Sequence, residues 1–147
     1  MRVLLALLLT TSCFSQVQVL ASAIAKAEGF SKAGSLPSRY RNPGDLKAVR
    51  GYRYPGQEGV GKGGHVIFRS SAAGWAALEH QINKITDGTS RYNVNMTLEE
   101  IGKKYAGNWR VWSTSVARNL GVTPRTSLWE VLDVPPAMEE SWKATQQ

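Results

Sequence analysis

The chain has 147 residues, 42% of them hydrophobic, with five Trp and a formal charge of +7. That length holds one compact domain, and the composition excludes a disordered or fibrous chain. The positive excess points to an anionic partner or surface, a class that includes nucleic acid, anionic phospholipid and the bacterial wall.

Met1-Arg2 is followed by an apolar run from Val3 to Leu9 and by small residues up to Ser15. A positive start, a short apolar run and small residues predict a secretory signal peptide over 1–15, cut after Ser15. The run is too short for a stable membrane span. Periplasmic or secreted localisation is therefore expected. Acylation of Cys13 is the weaker alternative, because Thr10 rather than Leu stands three residues before it. Cys13 is the only cysteine. A mature chain beginning at residue 16 then has no disulfide and no cysteine-based zinc site. His65 and His80 lack ligand-like spacing, so no metal and no cofactor are expected.

The next stretch has helical periodicity. Val17, Leu20, Ala21, Ile24 and Ala27 make an apolar face, and Gln18, Ser22 and Lys26 a polar one. Glu28 falls four residues after Ile24, on the edge of the apolar face, and Gly29 stops the helix. Partial burial and the negative end of the helix dipole both raise the pKa of a carboxyl placed there. An acid still protonated near neutral pH is what general acid catalysis needs. The competing reading is a carboxylate that bends outward to water.

A loop rich in Ser, Gly and Pro runs from Ser31 to Tyr40 and leads to Arg41-Asn42-Pro43-Gly44-Asp45-Leu46. Residues 46 to 69 are basic and glycine-rich, and His65-Val66-Ile67-Phe68 reads as a strand. This predicts a β-hairpin or a small three-stranded sheet. Gly61-Lys62-Gly63-Gly64 lacks the Gly-Lys-Ser/Thr ending of a phosphate loop. Ser70 then caps a helix whose face carries Trp75, Leu78, Ile82 and Ile85, ending at Asp87-Gly88. Trp75 reads as core. Thr97 and Glu100 form a capping box for a helix through Tyr105, which makes Glu99 and Glu100 structural. Trp109, Trp112, Val116 and Leu120 share the face of another helix, closed by Gly121. Ser127 and Glu130 cap a last short helix, and Pro135-Pro136 stops regular structure. The expected division is a signal peptide over 1–15, one domain over 16–134 and a C-terminal tail over 135–147.

Ala27-Glu28-Gly29-Phe30 and Tyr40-Arg41-Asn42-Pro43-Gly44-Asp45-Leu46 resemble motifs of lysozyme-like glycosidases of bacteria and phages, relatives of lytic transglycosylases and goose-type lysozymes. The likeness continues through Phe68-x-Ser70, Gly74-Trp75-x-Ala77-Leu78 and Ala117-Arg118-Asn119-Leu120-Gly121-Val122-Thr123-Pro124, and covers roughly residues 20 to 132. Asp45 stands where the family more often has Asn. The resemblance implies a mainly α, α+β lysozyme-like fold with a small antiparallel β-hairpin. It implies cleavage of peptidoglycan glycan strands with Glu28 as the catalytic acid, and substrate contacts from Asn42, Asp45 and Tyr105.

Glycoside cleavage ordinarily uses two carboxylates. Asp45 and Glu58 are the only acids on the hairpin side, and neither has the context of a strong second group. Lytic transglycosylases, by the resemblance, work with one Glu, which this chain fits better. A hydrolytic lysozyme and a non-catalytic wall-binding module are the alternatives. A nucleic-acid binder lacks a recognised motif. The expected partner is the glycan strand, bound by a monomer with no stable membrane span.

Overall fold

The computed structural model describes residues 16–138. The expected signal segment, Cys13 and the tail from 139 onward lie outside the described residues. The described part is α+β and about half helical. Its helices are α1 over 16–27, α2 Leu36–Arg39, α3 Ser71–Thr86, α4 Leu98–Tyr105, α5 Trp109–Leu120 and α6 Leu128–Leu132. Two antiparallel strands, β1 Gln57–Val60 and β2 Val66–Phe68, form the sheet between α2 and α3.

The apolar face of α1 is buried as its periodicity predicts, with Leu20 and Ala21 at 2% and 0% exposure. It meets Leu78 and Ile82 of α3, Leu98 and Ile101 of α4, Trp112 and Val116 of α5, and Leu128 and Leu132 of α6 in one cluster. So α1 is the element that ties the helical layer together. Burying a side chain the size of Leu20 contributes about 1.5–3 kcal/mol. The amide of Asn119 donates to the Ala23 carbonyl at 3.1 Å, which fixes α5 against α1.

A second, smaller cluster of Leu46, Tyr54, Val66, Phe68 and Ala77 joins the hairpin to α3. This contact needs Gly74. A Cβ there would stand 2.0 Å from the Arg41 carbonyl oxygen, so only glycine lets α3 approach the 41–45 turn.

Two local expectations are refined. The stretch from Ser31 to Tyr40 contains a helical turn, α2. The Ser35 hydroxyl accepts from the Ser38 N–H at 3.2 Å, with Pro37 inside the first turn, where its missing N–H costs nothing. The same hydroxyl donates to the Gly29 carbonyl at 2.8 Å and folds α2 back toward the end of α1. The hairpin is two-stranded rather than three-stranded. The basic segment before it contributes only the isolated bridges Lys47 to His65 and Val49 to Tyr52. Glycines around it supply turns, not further ladder.

The capping signals act as the sequence predicts. Thr97 and Glu100 close a capping box, with the Thr97 N–H donating to Glu100 at 2.8 Å. Glu130 accepts from the Ser127 N–H at 3.0 Å.

The turn before the hairpin is held by Asn42, which is 0% exposed. Its Nδ2 donates to the carbonyls of Leu46 and Val66, both at 2.9 Å, and its Oδ1 accepts from the Leu46 N–H at 2.8 Å. Replacing it with Ala would take these partners from the Leu46 N–H and the Val66 carbonyl, and would leave the Leu46 carbonyl with the Val66 N–H alone. Asn42→Ala is expected to lose about 2–4 kcal/mol, read as a fall in the urea midpoint at unchanged slope. An unchanged midpoint would show that this turn is not held by the Asn42 amide.

Candidate active site

Glu28 is the first residue past α1. Its N–H still bonds to the Ile24 carbonyl at 2.9 Å, so the helix geometry carries through to its Cα. Gly29 then turns the chain with φ +75°, a conformation that costs glycine little. The side chain is half-buried. Its Oε1 accepts a hydrogen bond from Trp112 Nε1–H at 2.7 Å. Among the described residues no cation pairs with it.

The environment favours the protonated form of this carboxyl. Its pKa is raised from 4.5 to about 7, first by burial and then by the negative charge of Asp45, while the indole N–H pulls the other way. Near neutral pH Glu28 thus exists in both forms. It can give a proton and take one back.

Trp112 owes its place to neighbours on α4. A Cβ at Gly102 would lie 3.1 Å from the Trp112 ring, so glycine leaves room for the indole between α4 and α5. The Tyr105 ring packs against it with centroids 5.1 Å apart. The Tyr105 hydroxyl donates to the Gly44 carbonyl. That bond links α4 to the 41–45 turn. Burial, with the charges of Glu28 and Asp45 next in weight, pushes the Tyr105 pKa well above its ordinary value. The phenol is therefore a permanent donor that feels both carboxyls.

Asp45 sits in the left-handed region, with φ +48°. That conformation is uncommon for a residue with a side chain, although Asp tolerates it better than most. His65 Nδ1 lies 2.9 Å from Asp45 Oδ1 and 3.1 Å from the Asp45 carbonyl oxygen. The N–H is directed at the carbonyl, and Oδ1 is buried without a well-aligned donor. Burial raises the Asp45 pKa, and His65 and Lys47 oppose that rise.

The structure brings Glu28, Asp45 and Tyr105 into one group. It seals Asn42 beneath them, with both amide hydrogens already committed to the protein. Asn42 shapes the turn, and no support arises for its expected contact with substrate. Glu58 is held by Arg41 at 3.1 Å on the exposed side of the sheet and does not influence Glu28. Of the two acids on the hairpin side, Asp45 is the one at the site. Trp75 is half-buried, its ring edge-on to Phe30 at 5.5 Å.

Two members of the group were not singled out from sequence. Trp112 read as one aromatic of a core face. The signal was available in its indole N–H, a donor that needs a partner once buried. His65 read as a strand residue, and nothing in spacing alone joins it to Asp45 twenty positions earlier.

Among the described residues, no group of three His, Cys, Asp or Glu side chains could hold a metal ion. No helix among them is long and apolar enough to cross a membrane. No family model matches this chain, and no curated protein or solved structure matches it either.

A raised acid pKa has a consequence for stability. The folded protein holds the Glu28 proton more tightly than the unfolded chain does. The stability it contributes is full below about pH 4.5 and is lost as pH rises through about 7. Gln cannot ionise. Glu28→Gln should therefore match the wild type near pH 4 and exceed it at pH 8 by about 2 kcal/mol, allowing for partial solvent screening. Thermal melts across this range test it, and a difference that does not grow with pH would contradict it.

Proposed function

We propose that this chain is a lysozyme-like glycosidase, exported by its first fifteen residues, that cleaves the MurNAc-GlcNAc β-1,4 bond of peptidoglycan. The observation that carries the reading is Glu28, with a pKa of about 7, hydrogen-bonded by Trp112 and flanked by Asp45. The motif resemblance around Glu28 and the 41–45 turn supports the substrate class.

In the favoured mechanism Glu28 acts twice. Its protonated form gives the proton to the glycosidic oxygen, and the C1–O bond breaks. The resulting carboxylate takes the proton of the C6 hydroxyl of the same muramic sugar. That oxygen bonds to C1 and closes a 1,6-anhydro ring. Glu28 ends as it began, and water is not consumed. The attacking hydroxyl is already part of the bound sugar, which removes much of the entropic barrier to the second step. A pKa near 7 suits both halves of this cycle.

One observation favours a second reading. Asp45 lies near enough for its charge to raise the Glu28 pKa. Two carboxyls in one site are the arrangement of a hydrolase, in which the second activates water or stabilises the sugar cation. The product then has a reducing end. A wall-binding module without activity remains as the non-enzymatic alternative.

Digestion of purified sacculi followed by mass spectrometry separates the three. The transglycosylase reading expects fragments ending in 1,6-anhydro-muramic acid, lighter by one water than hydrolysis products. Reducing ends as the main product would establish the lysozyme reading instead. No release at all would leave the binding module. In either enzymatic case Glu28→Gln is expected to lower the rate by about 10³-fold with the fold intact. Undiminished activity in that variant would remove Glu28 as the acid.

A further inference from the structure

The segment from Lys47 to Arg53 follows the site turn at once, two residues past Asp45, and every residue in it is exposed. Its base is anchored. The Val66 N–H bonds to the Leu46 carbonyl and the Ala48 N–H to the Gly64 carbonyl, both at 2.9 Å, and Lys47 bridges His65. Its tip is a tight turn. The Tyr52 N–H donates to the Val49 carbonyl at 3.1 Å, and Gly51 supplies φ +78°. This anchored arm carries three cations, Lys47, Arg50 and Arg53, of which Arg53 also donates from Nη2 to the Gln57 carbonyl at 2.7 Å. Among the described residues none of them is in an ion pair. The neighbouring carboxylate, Glu58, is already held by Arg41. Lys47 is close enough to pull on the charge of Asp45, so the base of the arm adjoins the candidate active site.

We propose that this arm binds the free carboxylates of the peptides that peptidoglycan carries on alternate sugars, and so holds the strand against the Glu28 site. This rests on the reading of the substrate given above. Lys47, Arg50 and Arg53 can donate to sugar hydroxyls, but carboxylates answer their charge as well as their N–H groups. The arm matches the acidic groups that branch from the same polymer at regular intervals. A lipid surface fits less well. The exposed apolar side chains of the arm are Val49 and Tyr52, and the Tyr52 ring is engaged edge-on with Tyr54 at 4.9 Å. That is little apolar area for interfacial anchoring.

The test is binding, read without cleavage in the Glu28→Gln background. The probes are sacculi freed of protein and teichoic acid, immobilised glycan strands stripped of peptide by an amidase with the lactyl carboxylates so freed capped as neutral methylamides, and vesicles of phosphatidylglycerol and phosphatidylcholine. Arg50→Gln with Arg53→Gln should weaken binding to sacculi about tenfold, the expected sum of a few exposed charge contacts. Added salt should produce a similar loss in the parent. Arg50→Lys with Arg53→Lys should restore most of the binding, and all forms should bind stripped strands equally. Circular dichroism melts confirm that the turn variants fold.

Sacculus binding unchanged in the Gln variant would overturn the proposal. So would an equal loss on stripped strands, failure of the Lys variant to restore binding, or no sacculus binding by the parent. Loss confined to vesicles would assign the arm to lipid instead and overturn it likewise. The enzymatic reading stands or falls on released products, so the two failures are distinguishable.

Discussion

The hydrogen bond from Trp112 to Glu28 is the contact on which the rest of the site depends. A carboxyl at the end of a buried helix must stay neutral or find donors. Here it finds one donor, an indole N–H that cannot accept and cannot ionise. That donor fixes the orientation of the acid without silencing it, because a single neutral partner does not outweigh burial. An arginine in the same place would hold the carboxylate charged through the neutral range and end its use as an acid.

Each further feature serves to hold that pair. Gly102 opens the space for the indole, and Tyr105 packs against it at a tilt and reaches the Gly44 carbonyl. Asn42 closes the turn that carries Gly44 and Asp45, and Gly74 lets α3 rest against it. Arg41 and Asp45, with φ of +53° and +48°, flank the turn in a conformation that favours glycine. Such strain persists only where surrounding bonds over-determine it, and it concentrates at functional sites. The Asn42 bonds and the reach of Arg41 to the Phe68 carbonyl supply that determination.

Much of the scaffold was legible in the sequence. The 3.6-residue period of α1, the Thr97–Glu100 box and the glycine stops at 29 and 121 act through local physics, which a sequence displays directly. The position of Glu28 at the apolar edge was enough to raise its pKa in expectation. The helical turn at Leu36–Arg39 was hidden by the Ser, Gly and Pro around it, since those residues serve caps as readily as loops. The Trp112–Glu28 bond spans 84 positions and the Tyr105–Gly44 bond 61. No local pattern encodes such pairings. They arise when α4 and α5 pack beside the end of α1. The same limit applied to Asn42, where the motif gave importance but not its cause. Its amide is consumed in building the turn.

Everything around the Trp112–Glu28 bond leaves Glu28 an acid poised near neutrality. The most direct measurement is a carboxyl 13C NMR titration of Glu28 in the folded protein, with the resonance assigned by its loss in Glu28→Gln. The expected midpoint is about pH 7. A midpoint near 4.5, the ordinary value for a glutamate in water, would contradict it, since Glu28 would then hold no proton to give at neutral pH.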